Sequence, residues 1–160
     1  MAKRSNLEKP TGSPGPGAAV VRPFHPGDEP SVIALWQACE LTRPWNDPHR
    51  DIARKLGHQP ELLLVAVLDG QVVGSIMAGY EGHRGWINYL SVAPASRRKG
   101  IGSTLMAEAE RRLLECGCPK INLQVRTSNR SVIEFYRRLG YAPDDVVSLG
   151  KRLVSDQPAS

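Results

Sequence analysis

No apolar run in this 160-residue chain reaches the ~18 residues of a membrane span. The opening "MAKRSNLEKP" has no apolar stretch of the kind a secretory leader needs. These two absences point to a cytoplasmic protein. Cysteine is scarce and odd in number, with only Cys39, Cys116 and Cys118. A disulfide framework needs pairs and an oxidising compartment, so the three are expected as free thiols. Cys116-Gly117-Cys118 is C-x-C, not the C-x-x-C of redox or zinc sites. His25, His49, His58 and His83 show no H-x-x-x-H spacing, and no metal is expected. Two phosphate loops are missing as well. No Lys follows Gly102, which excludes G-x-x-x-x-G-K-[ST], and Leu105 stands where G-x-G-x-x-G needs its third glycine.

The 41% hydrophobic and 23% charged fractions are those of an ordinary globular chain, and the length suits one domain. Net charge is +5, of which +2 sits in residues 1–17, where Lys3, Arg4 and Lys9 face Glu8. What remains suits an anionic small ligand and is too weak for a nucleic-acid footprint.

Residues 1–17 are rich in Pro, Gly and Ser and read as a disordered tail, followed by a domain at 18–154 and a short tail at 155–160. "AVVRPF" (19–24) predicts a strand. "DEPSVIALWQACEL" (28–41) places Val32, Leu35, Trp36 and Cys39 at helical spacing. A loop with two prolines precedes a short helix near 48–57. "ELLLVAVL" (61–68) reads as a strand buried on both faces. Asp69-Gly70 predicts a hairpin into "QVVGSIMAGY" (71–80), and "WINYLSV" (86–92) is the next strand. A helix over 100–116 leads to a strand at 120–126. A last helix follows, capped by Ser128 or Asn129 and closed by Gly140, and a final strand or two covers 141–153. The order predicts an α/β fold, a mixed sheet with helices on both faces, in which 86–92 and 120–126 are parallel.

Arg97, Arg98 and Lys99 run straight into Gly100-Ile101-Gly102 and the start of a helix. Cations are disfavoured at a helix N-terminus, by about 0.3–1 kcal/mol each when exposed. They make sense if an anion sits among the free amides of that turn, which Gly100 and Gly102 open to close approach. A solvated basic turn is the plainer alternative.

At these residues the chain resembles a known family. "YLSVAPASRRKGIGSTLM" is similar to the R/Q-x-x-G-x-G/A signature of the GNAT N-acetyltransferases. "RTSNRSVIEFYRRLGY" is similar to that family's second landmark, an Asn shortly before a F-Y-x-x-x-G-[FY] helix. "RPWNDP", "GYEGHRG", "GCPKI" and "VSLGKRL" resemble the bacterial YpeA-type subgroup. The resemblance implies a sheet of about seven strands with four or so helices. Its parallel fourth and fifth strands would splay apart for acetyl-CoA. It also implies transfer of an acetyl group to a primary amine, small or peptidic, by direct attack. Main chain from Leu90 through Ser91 to Val92 would pair with the pantetheine arm. Arg97 and the amides of Arg98, Lys99, Gly100, Ile101, Gly102 and Ser103 would hold the pyrophosphate. Asn129 would touch the cofactor, and Tyr136 would face the sulfur. Acetyl-CoA and an unidentified amine are then the partners, with no nucleic acid or membrane, and a homodimer is left open.

Tyr136 has the spacing of a core residue, but a tyrosine hydroxyl can also protonate a leaving thiolate. The base is less legible. The ribosomal-protein N-terminal acetylases carry a Glu in a run like "LEVR-x-SN", and here Gln124 stands at that place in "LQVRTSN". Glu81 in "GYEGHRG" is the first candidate, beside Asp47, His83 and a water chain. An acyl-CoA-binding module that acetylates no amine is the second reading.

Overall fold

The computed structural model describes residues 17–157, so the expected N-terminal tail falls outside them except for Gly17. The element order is β1 (Val20–Pro23), α1 (Glu29–Ala38), α2 (Pro48–Leu56), β2 (Leu63–Leu68), β3 (Gln71–Tyr80), β4 (Gly85–Val92), α3 (Ile101–Glu115), β5 (Ile121–Leu123) and α4 (Arg130–Arg138). The strands form one sheet in the order β1-β2-β3-β4-β5, antiparallel until β4 meets β5 in parallel.

β2 shows why the sheet is covered on both sides. Leu63, Leu64, Val65 and Ala66 are all fully buried, and they divide by parity. Leu64 and Ala66 join Leu105, Met106, Ala109 and Leu113 of α3 in one core. Leu63 and Val65 join Val32, Ile33 and Trp36 of α1 and Ile52 of α2 in a second core on the opposite face. Alternation within a strand thus feeds two helical layers from one continuous apolar run. Asp69 and Gly70 both have positive φ, 50° and 77°, as a two-residue hairpin turn of the right twist requires. α4 ends as expected at Gly140 (φ 92°), with the Tyr141 amide donating back to the Tyr136 carbonyl at 3.0 Å.

Two expectations need correction. The sheet has five strands among the described residues, not about seven, and β5 is three residues long rather than the seven of 120–126. No strand forms over 141–153. The edge offered by so short a β5 is a poor template, and the segment is tied down by side chains instead. Lys120 pairs with Asp144 at 2.8 Å, Gln124 donates to the Ser148 hydroxyl, and Arg152 donates to Asn46 Oδ1 at 2.8 Å. The stretch expected as a C-terminal tail is also anchored. Asp156 is buried and takes Arg54 Nη2 at 2.5 Å and the Asp47 amide at 3.1 Å.

Candidate active site

β4 pairs with β5 only through Gly85, Trp86 and Ile87. Beyond Ile87 the two strands part, so the β5-facing edge of β4 from Asn88 to Val92 has no strand partner among the described residues. On its other edge β4 stays paired with β3, as Ser91 with Ser75 and Val92 with Gly74. The Ala93 amide donates to the Val73 carbonyl at 2.7 Å, which fixes the phase of the ladder. Antiparallel alternation then turns the Val92 amide away from β3 and into the gap. The Val92 carbonyl faces the same way and accepts from Cys39 Sγ and from Arg97 Nε, each at 3.3 Å.

The gap leads to the start of α3. Arg98 (φ 62°) and Gly100 (φ 77°) are left-handed on either side of Lys99, so the turn folds its amides into a concave nest. The first helical amide to close is that of Thr104, on the Gly100 carbonyl at 3.0 Å. The amides of Ile101, Gly102 and Ser103 are the orphans of the helix end. A Cβ built on Gly100 meets nothing within 4 Å, so the loop surface there is open to a ligand. None of Arg97, Arg98 and Lys99 takes part in an ion pair among the described residues.

Gly102 carries a packing constraint as well as an orphan amide of the helix start. Its φ is ordinary, and a Cβ there would come within 3.3 Å of the Phe135 ring and 3.7 Å of Val92. Part of its constraint is packing, because α4 lies across the start of α3. That packing brings Phe135 to the start of α3 beside Val92. Tyr136 is 8% exposed and lies in the same apolar core as Leu90 and Val92. Its ring meets Phe135 and Tyr141 edge-on at 5.2 and 5.6 Å. Burial pushes its hydroxyl up to about 12, so it stays a proton donor at physiological pH. Asn129 stands at the N-cap of α4, exposed, and its Oδ1 accepts from Ser131 rather than capping the helix.

Glu81 is not brought to this site. It lies in the β3–β4 turn, at the end where β3, β4 and β5 are all paired. From Gly85 to Tyr89 the strand alone spans about 13 Å. The Glu81 carboxylate is taken by the amides of Arg84 and His83, and the Arg84 bond foremost holds it below its ordinary value. A turn-closing carboxylate of this kind is a weakened base. His83 belongs to the same turn, and Asp47 is the N-cap of α2, accepting from the His49 amide at 2.9 Å. Gln124 is spent on Ser148.

β4 is irregular at Tyr89. Strict alternation along "WINYLSV" would put Ile87, Tyr89 and Ser91 on one face. The register shifts instead between Ser75 and Met77 of β3, so Tyr89 and Leu90 together face a single β3 position. Tyr89 takes a positive φ of 51°. Ile87, Leu90 and Val92 therefore share the α3 face, while Tyr89 crosses to the α1 and α2 face and stacks on Trp36 at 3.9 Å, 10° from parallel. Nothing local in "WINYLSV" marks the break, since Trp86, Leu90 and Val92 fit one face of a regular strand as well.

The model of the acetyltransferase (GNAT) family matches residues 31–141. The chain belongs to the GNAT family. It is similar to Acetyltransferase YE1169 of Yersinia enterocolitica, 50% identical over 137 residues, which cover 86% of this chain and 97% of the relative. Among solved structures it is similar to Ard1 from Thermoplasma volcanium, with a TM-score of 0.69 and 30% identity over 78% of this chain and 83% of the other. The fold is also that of AAC(6')-Iy in complex with a CoA-S-monomethyl-acetylneamine bisubstrate analog, at TM-score 0.69 and 19% identity, covering 84% and 98%. The chain is thus an acetyltransferase, and acetyl-CoA is the cosubstrate of its family.

Proposed function

We propose that this GNAT acetyltransferase moves the acetyl group of acetyl-CoA to a primary amine by direct attack on the thioester. The observation that carries the reading is the convergence of three features at one gap. These are the unpaired β4 edge at 90–92, the nest of amides at the start of α3, and the buried Tyr136 in the core against which Leu90 and Val92 pack. The open space over Gly100 supports the fit of the cosubstrate's pyrophosphate.

When bound, acetyl-CoA supplies an activated acetyl group. The Leu90, Ser91 and Val92 main chain offers a peptide-like pantetheine arm the ladder bonds that β5 no longer makes. The amides of 98–103, with Arg98 and Lys99, hold the phosphates. Arg97 does so by turning from the Val92 carbonyl, to which it is now bonded. Asn129, exposed at the N-cap of α4, would contact the cosubstrate. The Val92 amide, turned away from β3, would donate to the carbonyl oxygen as negative charge grows on it, a donor worth about 10²–10³ in rate. The Tyr136 hydroxyl would give the departing sulfur its proton and regain one, through water, from the nitrogen that has formed the amide.

The test is release of free CoA thiol from acetyl-CoA with a panel of small amines and peptides. Release with one class of amine supports the transferase. Tight acetyl-CoA binding with no release from any acceptor favours the acyl-CoA-binding module.

A further inference from the structure

A second opening lies on the α1 and α2 face of the sheet, away from the nest. It is an open cavity of about 230 Å³, lined by Lys55 and His58 around the end of α2, by Met77 and Gly79 of β3, and by Trp86 and Asn88 of β4. Met77 pairs with Asn88 and Gly79 with Trp86, which sets these four strand positions together on one face.

Lys55 is the residue that packing alone does not account for. It follows Ile52 by three positions on α2, so it falls on the stripe that faces the sheet, and it is only 8% exposed. A Cβ built on Gly79 would come within 3.8 Å of Lys55 Nζ, so the ammonium lies near a strand position that has no side chain. It makes no ion pair among the described residues. The neighbouring Gln59 amide is spent on the Tyr80 main chain, donating and accepting at 2.9 Å. Burial lowers the Lys55 pKa, and only the charge of Glu61, beyond ion-pair reach, opposes it. A lysine is rarely buried so far without a partner, and a Leu or Met would fill the same place without the cost of desolvating a charge.

The ammonium thus lacks an acceptor that a molecule entering the cavity can bring. The charges around it limit which molecule. Glu81 lines the same cavity, its carboxylate held by the His83 and Arg84 amides and by the Trp86 side chain. One cation near Glu81 and Glu61 favours a single negative charge over a phosphate dianion. Met77 and the 37% exposed Trp86 offer apolar surface to the rest of the molecule.

We propose that this cavity is a binding site for a small monocarboxylate with an apolar body, the carboxylate taken by Lys55 and the body set against Met77 and Trp86. The cavity reaches Asn88, the first β4 residue past the last pair with β5, so its occupant lies beside the start of the gap. Occupancy needs neither acetyl-CoA nor acetyl transfer.

The probe is 3-phenylpropanoate, with 3-phenylpropanamide as its neutral counterpart and inorganic phosphate as the dianion. Each is titrated into the full-length protein by calorimetry and by the indole N–H signals in NMR. Wild type should bind 3-phenylpropanoate with Kd on the order of 1 mM and shift the Trp86 signal, identified by its loss in Trp86→Ala. Lys55→Met keeps an apolar stem and removes the ammonium. It should weaken the carboxylate about tenfold or more, the weight of a hydrogen bond to a charged group, and leave the amide unchanged. Its melting temperature should rise, because an unpaired desolvated cation has gone. Trp86→Ala, at an exposed position, should weaken carboxylate and amide alike. A lysine that merely reaches water through the cavity would give wild type no heat and no Trp86 shift, which overturns the proposal. Equal carboxylate affinity in wild type and Lys55→Met, or in wild type and Trp86→Ala, overturns it too, and so does phosphate binding tighter than the carboxylate. None of these failures touches the transferase reading, which stands or falls on thiol release.

Discussion

Gly100→Asp puts a charge where the nest is read as binding phosphates, and its cost can be worked in two parts. The first is backbone strain. Gly100 sits at φ 77°, and a side chain in that region costs about 1–2 kcal/mol. Strain of this kind is present with and without ligand, so it lowers the melting temperature and hardly touches affinity. No clash adds to it, because a Cβ at this position meets nothing within 4 Å. The second part is electrostatic and appears only in the complex. A carboxylate ~5 Å from one phosphate charge, at an effective dielectric of ~20, is repelled by about 3 kcal/mol, on the order of a hundredfold in Kd. Gly100→Ala carries the first part without the second and is the control. Calorimetric titration with CoA should show Ala near wild type in affinity and Asp about a hundredfold weaker. Raising salt from about 0.1 M to about 1 M shortens the Debye length from ~10 to ~3 Å and should narrow the gap between them. Equal Kd values for the Asp and Ala variants would refute the reasoning, since the turn would then face no anion.

Tyr136→Phe should lower kcat about 10²-fold or more with acetyl-CoA affinity retained, because the ring and its contacts with Phe135 and Tyr141 survive; unchanged turnover rules out the proton-donor role. The same variant has a signature in stability. Burial raises the Tyr136 hydroxyl from 10.0 to about 12, so its contribution is whole below pH 10 and is lost as pH climbs toward 12. Melting temperatures across that window should fall less steeply for Tyr136→Phe than for wild type. At the acid end, Arg54 foremost holds Asp156 down from 3.8 to about 2. Its contribution is present above pH 4 and is lost as pH falls through 2. Asp156→Asn should flatten acid unfolding between those values, and hydrogen exchange should show 150–157 released from α2 at neutral pH.

The elements that were legible in the sequence are those whose signal is local. The parity of "ELLLVAVL", the Asp-Gly turn and the Gly140 helix stop each need only their own neighbours, and each stands where expected. The nest was legible because three unpaired cations before Gly100 conflict with a helix dipole unless something absent from the chain resolves it. What was not legible depended on partners distant in sequence. Val146, Val147 and Leu149 carry the composition of a strand, but strand formation needs an edge, and a three-residue β5 supplies too little of one. Glu81 was attractive as a carboxylate between two strands. Only the pairing of Gly85 with both Tyr80 and Ile121 shows that its turn is at the closed end of the sheet. The packing constraint on Gly102 was invisible because it comes from Phe135, thirty-three positions away.

The shape of the candidate site depends on one defect in β4. A regular strand would carry Ile87, Tyr89 and Ser91 on one face and would keep Leu90 and Val92 on the other. The extra residue at Tyr89–Leu90 breaks that count once, just past the last pair with β5. On one side it lets Leu90 and Val92 continue the apolar face that receives Phe135 and Tyr136. On the other it delivers a polar ring onto Trp36 and against Asp51. A bulge also bends and over-twists its strand, which favours parting from a parallel neighbour at that point. The left-handed backbone of Tyr89 costs of order 1–3 kcal/mol. The stack, the Asp51 bond and the buried Asp156 beyond it offset that cost. The strand is thus held irregular by contacts on the α1 and α2 face, and the open edge that faces the gap follows from that irregularity.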